Sequence, residues 1–206
     1  PYWGVDENGI GYVRITKFSK NTAKDFGTAL QDLLDNGMKG LVIDLRGNSG
    51  GLLSNSINIL DKLTERSVNL LNTKGRIAKS NREMNSRRAP MVPNEIPIAV
   101  LINQSSASAS EIVSGVLQDL DRAVIVGKKS FGKGLVQSMY NLNDTTTLKV
   151  TTAKYYTPSG RLIQKEDYLK NGFLIDNLNK KDSLFRCCSK HICRDKIFRT
   201  SLWKKS

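Results

Sequence analysis

GLVIDLRGNSGG, residues 40–51, is the stretch on which the reading of this chain turns. Its first six residues are a short apolar run without the alternation of a half-wet strand, the pattern of a strand covered on both faces. It runs into Arg46-Gly47-Asn48-Ser49-Gly50-Gly51, a turn in which three glycines let the backbone bend sharply or come close to something. Upstream, IGYVRIT (10–16) reads as a strand. Thr22 with Asp25 resembles a capping pair opening a helix with apolar positions Phe26, Ala29, Leu30, Leu33 and Leu34, closed by Gly37. Downstream, a helix carries Ile57, Leu60 and Leu63, residues 68–72 read as a strand, and the polar, basic, proline-punctuated segment 73–96 reads as an exposed excursion. The grammar then repeats: PIAVLIN (97–103) is a buried strand, SSASASEIVSGVLQDL (105–120) a small-residue turn leading into an amphipathic helix, and RAVIVG (122–127) a strand. After GKKSFGKG (127–134), segments 135–140 and 147–156 alternate and are rich in Val, Thr and Tyr, which predicts a hairpin across Asn143-Asp144. The order predicts a mixed α/β fold, a layered sheet-and-helix core over 10–165. Residues 1–9 are expected to be a remnant or linker, and 166–206 a divergent, poorly ordered basic tail.

With 206 residues, 39% hydrophobic and 25% charged, the chain suits one domain with a real core. It contains no apolar run of membrane-spanning length and no signal-peptide order, so nothing in it is expected to cross a membrane or direct export. The net charge of +13 suggests a polyanionic partner. Residues 177–206, however, hold nine basic and two acidic residues, a net of +7, which leaves +6 for 1–176. Without an accompanying aromatic stacking surface, no specific nucleic-acid partner is expected. Cys187, Cys188, Cys193 and the single histidine, His191, crowd into CCSKHIC within the tail. That clump has poor geometry for zinc, which needs two separated ligand pairs, so no metal site is expected. No disulfide framework is expected either.

Gly127-x4-Gly132-Lys133 matches most of a P-loop, but Gly134 stands where a Ser or Thr would hold magnesium, and LVQSMY reads as a strand where a helix is required. No nucleotide or other cofactor is expected. The small-residue run 105–110 lies where a buried strand becomes a helix. A serine there faces unpaired N–H groups and the positive end of the helix dipole, so an alkoxide or oxyanion would be stabilised. Serine is also a preferred N-cap, and for any one serine of the run that plainer role stands beside the catalytic one. With His191 in the tail, the base left for such a serine is a lysine desolvated by the fold, and Lys133, between two glycines and an apolar strand, fits. Asp44 and Arg46 are expected to fix the turn and the sheet end, and Glu111 and Asp119 to hold helix ends.

DLRGNSGG, SASASEI, SFGKG with a glutamine four residues after the lysine, and TTAKYYTPSGRLIQ together resemble the carboxyl-terminal processing (tail-specific) proteases, serine peptidases that use a Ser-Lys dyad. The resemblance runs from about residue 9 to residue 164. It implies a ClpP/crotonase-like catalytic core, with Ser108 as nucleophile, Lys133 as general base and Gln137 orienting the lysine amine. It also implies an oxyanion hole from the N–H of Ala109 and one in the glycine turn, at Gly51 with Gly50 as neighbour. The implied partners are proteins or peptides with exposed C-termini, in an extracytoplasmic compartment such as the bacterial periplasm. Two departures qualify the expectation. The PDZ domain that family members carry before the core is not in this chain, and the sequence after Gln164 does not follow the family pattern. The alternative expectation is a protease-like binding or scaffold domain that keeps the architecture without the activity. Membrane association would fall to segments outside this chain, and the sequence specifies no oligomeric state.

Overall fold

The computed structural model describes residues 2–165. The clustered cysteines, His191 and the expected basic tail lie outside the described residues. The first sheet contains β1 (Tyr2–Val5), β2 (Ile10–Arg14), β3 (Gly40–Asp44), β6 (Ile98–Ile102) and β7 (Val124–Gly127), in the order β1-β2-β3-β6-β7. Strands β2, β3, β6 and β7 run parallel, while β1 pairs antiparallel with β2. Each parallel step advances in the same direction, so right-handed crossovers carry α1 (Thr22–Asp35), α2 (Leu53–Leu60) and α3 (Ala109–Asp119) to one face. There α1 packs on α2, and α2 on α3. Phe18, Phe26, Leu30, Leu33, Ile43, Leu45, Ile59, Val100, Val113 and Val116 are buried in the core. Four of the five residues of β3 are buried, as its unbroken apolar run requires.

A second, antiparallel sheet has the order β5-β4-β9-β8, from β4 (Asn69–Gly75), β5 (Arg82–Asn85), β8 (Leu135–Asn141) and β9 (Thr147–Tyr156). The expected hairpin is therefore present as β8 and β9. Among the described residues, no helix is long and apolar enough to cross a membrane.

Three expectations change. The stretch expected to be a remnant or linker contains an edge strand, Tyr2–Val5, in which Trp3 and Val5 pack on the core while the Trp3 indole N–H donates to Asp32 Oδ2 at 2.8 Å. The Thr22–Asp25 capping pair does not form. Thr22 Oγ1 instead accepts the Ser19 N–H at 2.9 Å, and the first turn of α1 is capped from another helix, where Asn55 Oδ1 accepts the Ala23 N–H at 3.0 Å. The excursion 73–96 is only partly exposed. It contains β5 and the fully buried Val92, and the Arg122 guanidinium holds its end by donating to the carbonyls of Ile96 at 3.1 Å and Pro93 at 3.0 Å.

Candidate active site

Three segments converge at the C-terminal end of the parallel strands. The first is the glycine turn after β3. Asn48 is fully buried there, its amide donating to Ile15 O at 2.7 Å and its Oδ1 accepting the Gly50 N–H at 2.8 Å. Its backbone oxygen accepts both the Ala107 N–H at 3.0 Å and the Ser110 hydroxyl at 2.9 Å. One side chain and its own carbonyl thus tie the turn to β2 and to the start of α3. Gly50 and Gly51 have φ of 101° and 147°. A Cβ on Gly50 would lie 2.8 Å from Ser108 Cβ and 3.0 Å from Ala109 N, and one on Gly51 would lie 2.2 Å from Phe18 O. Glycine is required because backbone approaches backbone here.

The second segment is the small-residue run. Ser106 and Ser110 are fully buried, with their hydroxyls donating to Leu45 O at 2.8 Å and to Asn48 O. Ser105 is exposed. Ser108, half-buried against the glycine turn, has φ 54° and ψ −113°, a strained conformation for a residue with a side chain. Strain of that kind costs about 1–3 kcal/mol and is held only where the surroundings over-determine it. Among the described residues, the N–H groups of Ala109 and Gly51 donate to no protein group, whereas that of Gly50 is taken by Asn48. These are the two N–H groups that the family resemblance implies as oxyanion donors, and Gly50 is their close neighbour.

The third segment, between β7 and β8, carries Lys133. Its backbone is pinned from both sides. The N–H groups of Gly132 and Lys133 donate to the Glu111 carboxylate at 2.5 and 2.8 Å. On the other side Gly132 O accepts the Lys165 N–H at 2.9 Å, and the Gly134 N–H donates to Gln164 Oε1 at 2.9 Å. The segment after it is strand β8, as the failed P-loop match requires. Lys133 is half-buried, and among the described residues its Nζ makes no hydrogen bond to Ser108 Oγ. Gln137 lies farther along β8, beside a bulge in the β8–β9 pairing, and its side chain is exposed without a hydrogen bond among the described residues. The structure thus brings Ser108, Ala109, Gly50 and Gly51 together, sets the Lys133 loop against the same helix, and leaves Gln137 outside the cluster.

Asp44 closes the far side of the turn. Burial by itself would raise its carboxyl. The Arg46 guanidinium fork, at 2.9 and 2.7 Å, and the Tyr12 hydroxyl, at 2.6 Å, outweigh burial and hold the carboxyl below the usual carboxylate range. Tyr12, half-buried and donating to that carboxylate, is pushed up to about 12. Asp44 and Arg46 do fix the turn. Asp119 does more than hold its helix end, accepting the Ser159 hydroxyl at 2.6 Å and pairing with Arg161, so that it ties the turn after β9 to α3. Glu111 also reaches beyond its own helix, a role that no local pattern discloses because its partners lie about twenty residues downstream.

A hydroxyl held at a helix N-terminus beside free backbone donors, with an amine on a tethered loop, suits acyl transfer through a covalent intermediate. Similarity to known proteins lies in the same class. The chain belongs to peptidase family S41, whose family model matches residues 9–171. It is 43% identical over 162 residues to a carboxy-terminal-processing protease of Bartonella bacilliformis, covering 77% of this chain and 37% of that protein. It is 39% identical over 169 residues to a carboxyl-terminal-processing protease of Synechocystis, covering 82% and 38%. A solved photosystem II D1 C-terminal processing protease superposes with a TM-score of 0.67 at 34% identity, covering 78% of this chain and 42% of that one. The mixed α/β core and the family resemblance read from the sequence are therefore borne out. The chain spans less than two fifths of the length of the two curated relatives.

Proposed function

We propose that this chain is the catalytic core of a serine endopeptidase that cleaves protein substrates at or near their C-terminal region, with Ser108 as nucleophile and Lys133 as base. The observation that carries the reading is the strained Ser108 at the N-terminus of α3, packed against Gly50, with the unpartnered N–H groups of Ala109 and Gly51 nearby. The Lys133 side chain swings onto Ser108 Oγ while its backbone stays pinned by Glu111. Neutral Nζ takes the hydroxyl proton, and Oγ bonds to the peptide carbonyl carbon. The carbonyl oxygen, now negative, is met by the Ala109 and Gly51 N–H groups. Collapse breaks the C–N bond, Lys133 passes its proton to the leaving amine, and an ester on Ser108 remains. Water, deprotonated by the same lysine, then releases the acid and restores the serine. Each oxyanion donor is worth about 2.7–4 kcal/mol, and the base contributes about two to four powers of ten in rate. Gln137 orients Nζ in this reading, which requires its exposed side chain to turn toward Lys133.

The names of the relatives support substrates with exposed C-termini, and the presence of chloroplastic processing peptidases among them supports work outside the cytoplasm. No cofactor is needed. The test is cleavage of an unstable protein bearing an apolar C-terminal tail, by the wild-type chain and by Ser108→Ala and Lys133→Ala. Cleavage by the wild type alone is expected, and equal rates from all three folded proteins would sink the proposal. The missing Ser108–Lys133 hydrogen bond favours a second reading, an inactive protease-like binding or scaffold domain. A phosphonylating reagent separates the two, since it labels Ser108 only where the dyad assembles.

A further inference from the structure

Glu111 stands one turn after Ser108 on α3, and it is fully buried. A carboxylate removed from water needs donors on both oxygens. Oε1 accepts from Ser130 Oγ at 2.7 Å and from Gly132 N at 2.5 Å. Oε2 accepts from Ser108 N at 2.8 Å and from Lys133 N at 2.8 Å. In an ordinary capping box, a glutamate at this position serves its own helix. Here three of the four donors come from the loop that carries the lysine, and the fourth is the backbone of the serine. The carboxylate does not pair with the lysine side chain, because the ion pairs among the described residues are Arg46–Asp44 and Arg161–Asp119. One other bond between loop and serine segment, from Phe131 N to Ser106 O at 3.0 Å, lies two residues ahead of Lys133.

The geometry points to Glu111 as a positioning residue that sets the separation of Ser108 and Lys133 by clamping both backbones to one buried carboxylate. The inference rests on the dyad reading above. Misplacing a reacting group by about 1 Å costs about a hundredfold in rate, so a clamp that fixes two backbones at once acts on turnover rather than on substrate capture.

Glu111→Gln tests it with little change of shape. With its NH2 in the place of Oε2 the amide would face two backbone N–H groups. It therefore settles with NH2 in the place of Oε1, where the Ser130 hydroxyl can turn to accept and the Gly132 N–H cannot. In the intact protein, kcat is expected to fall about a hundredfold with KM changed less than about threefold. Ser130→Ala, which leaves the carboxylate its three backbone donors, is expected to lower kcat by about two- to fivefold. Asp119→Asn, at the other end of the same helix, serves as the control for mere loss of packing and is expected to keep wild-type kcat. The inference falls if Glu111→Gln turns over at the wild-type rate, or if Asp119→Asn loses kcat equally. If Glu111→Gln does not fold, amide exchange in Ser130→Ala decides. Faster exchange at Gly132 and Lys133 with a lowered kcat supports the clamp, and unchanged exchange and kcat overturn it. A Ser108→Ala variant with wild-type turnover would instead sink the dyad reading.

Discussion

Along α3 every residue from Ala109 to Leu117 is buried, whereas none of the seven residues of β8 is, and Met139 and Tyr140 stand 73% and 52% exposed. The proposed nucleophile belongs to the first region and the proposed base to the root of the second. On the α3 side, position follows from packing: buried serines, Asn48 and the glycine turn leave Ser108 a single place to be. On the hairpin side only the root is held, by Glu111, by residues 163–165 and by the pairing of the end of β9 with β4, and the strands beyond it face water. The difference teaches that catalytic geometry need not be uniform. On the proposed reading, a fixed nucleophile and oxyanion turn work with a base whose backbone is anchored and whose side chain makes no hydrogen bond among the described residues.

The comparison can be broken at several points. Ser108→Ala and Lys133→Ala should each lower kcat/KM by about three to six powers of ten, and the double variant should be no worse than either, because the two act as a unit. Multiplying losses in a double-mutant rate comparison would show that they do not. Gly50→Ala places a methyl 2.7 Å from Ala107 O and 2.8 Å from Ser108 Cβ at a φ of 101°. It should cut kcat by about two to three powers of ten, as expected when an oxyanion donor is displaced, and lower Tm as well. Wild-type turnover in this variant would contradict the tight side of the comparison. Asp44→Asn probes the sheet end by pH. The lowered Asp44 carboxyl contributes stability fully above the ordinary aspartate value of about 3.9, and that stability is lost as pH falls through its lower folded value. The gap in urea midpoint between wild type and variant should therefore be constant from about pH 5 to pH 8 and narrow below about pH 4. Smallest of all, Met139→Ser on the exposed hairpin should change stability by less than about 0.5 kcal/mol, read from denaturant unfolding.

What the sequence disclosed follows the same division. GLVIDL, PIAVLIN and the helix after SASAS were legible because a strand covered on both faces leaves an unbroken apolar run bounded by turn residues, and a helix with an apolar stripe leaves a period of 3.6. The glycine turn and the serine run stood out as candidate sites because glycines and small residues cluster where buried strands end, though a serine there also serves as an N-cap. Long-range satisfaction of buried polar groups was not legible. Nothing local marks Asn55 as the cap of α1, or Glu111 as the acceptor for a loop some twenty residues on, because hydrogen bonds between distant segments leave no period. Strand β1 was missed because four residues pairing at an edge are too short for a pattern. The bulge between Val136 and Gln137 breaks the alternation of β8, so the strand pattern alone does not say which way Gln137 faces.

The wiring of Asn48 also sets an order of events during folding. Its bonds join residues 33 and 62 positions apart in the chain, to Ile15 and to Ser110, so the turn cannot take shape until β2, β3 and the start of α3 have docked. Contacts of such sequence separation carry the largest loop-closure cost and form late. In the peptidase proposed above, Ser108 reaches its reactive setting only at the end of assembly, when the chain is no longer open to attack.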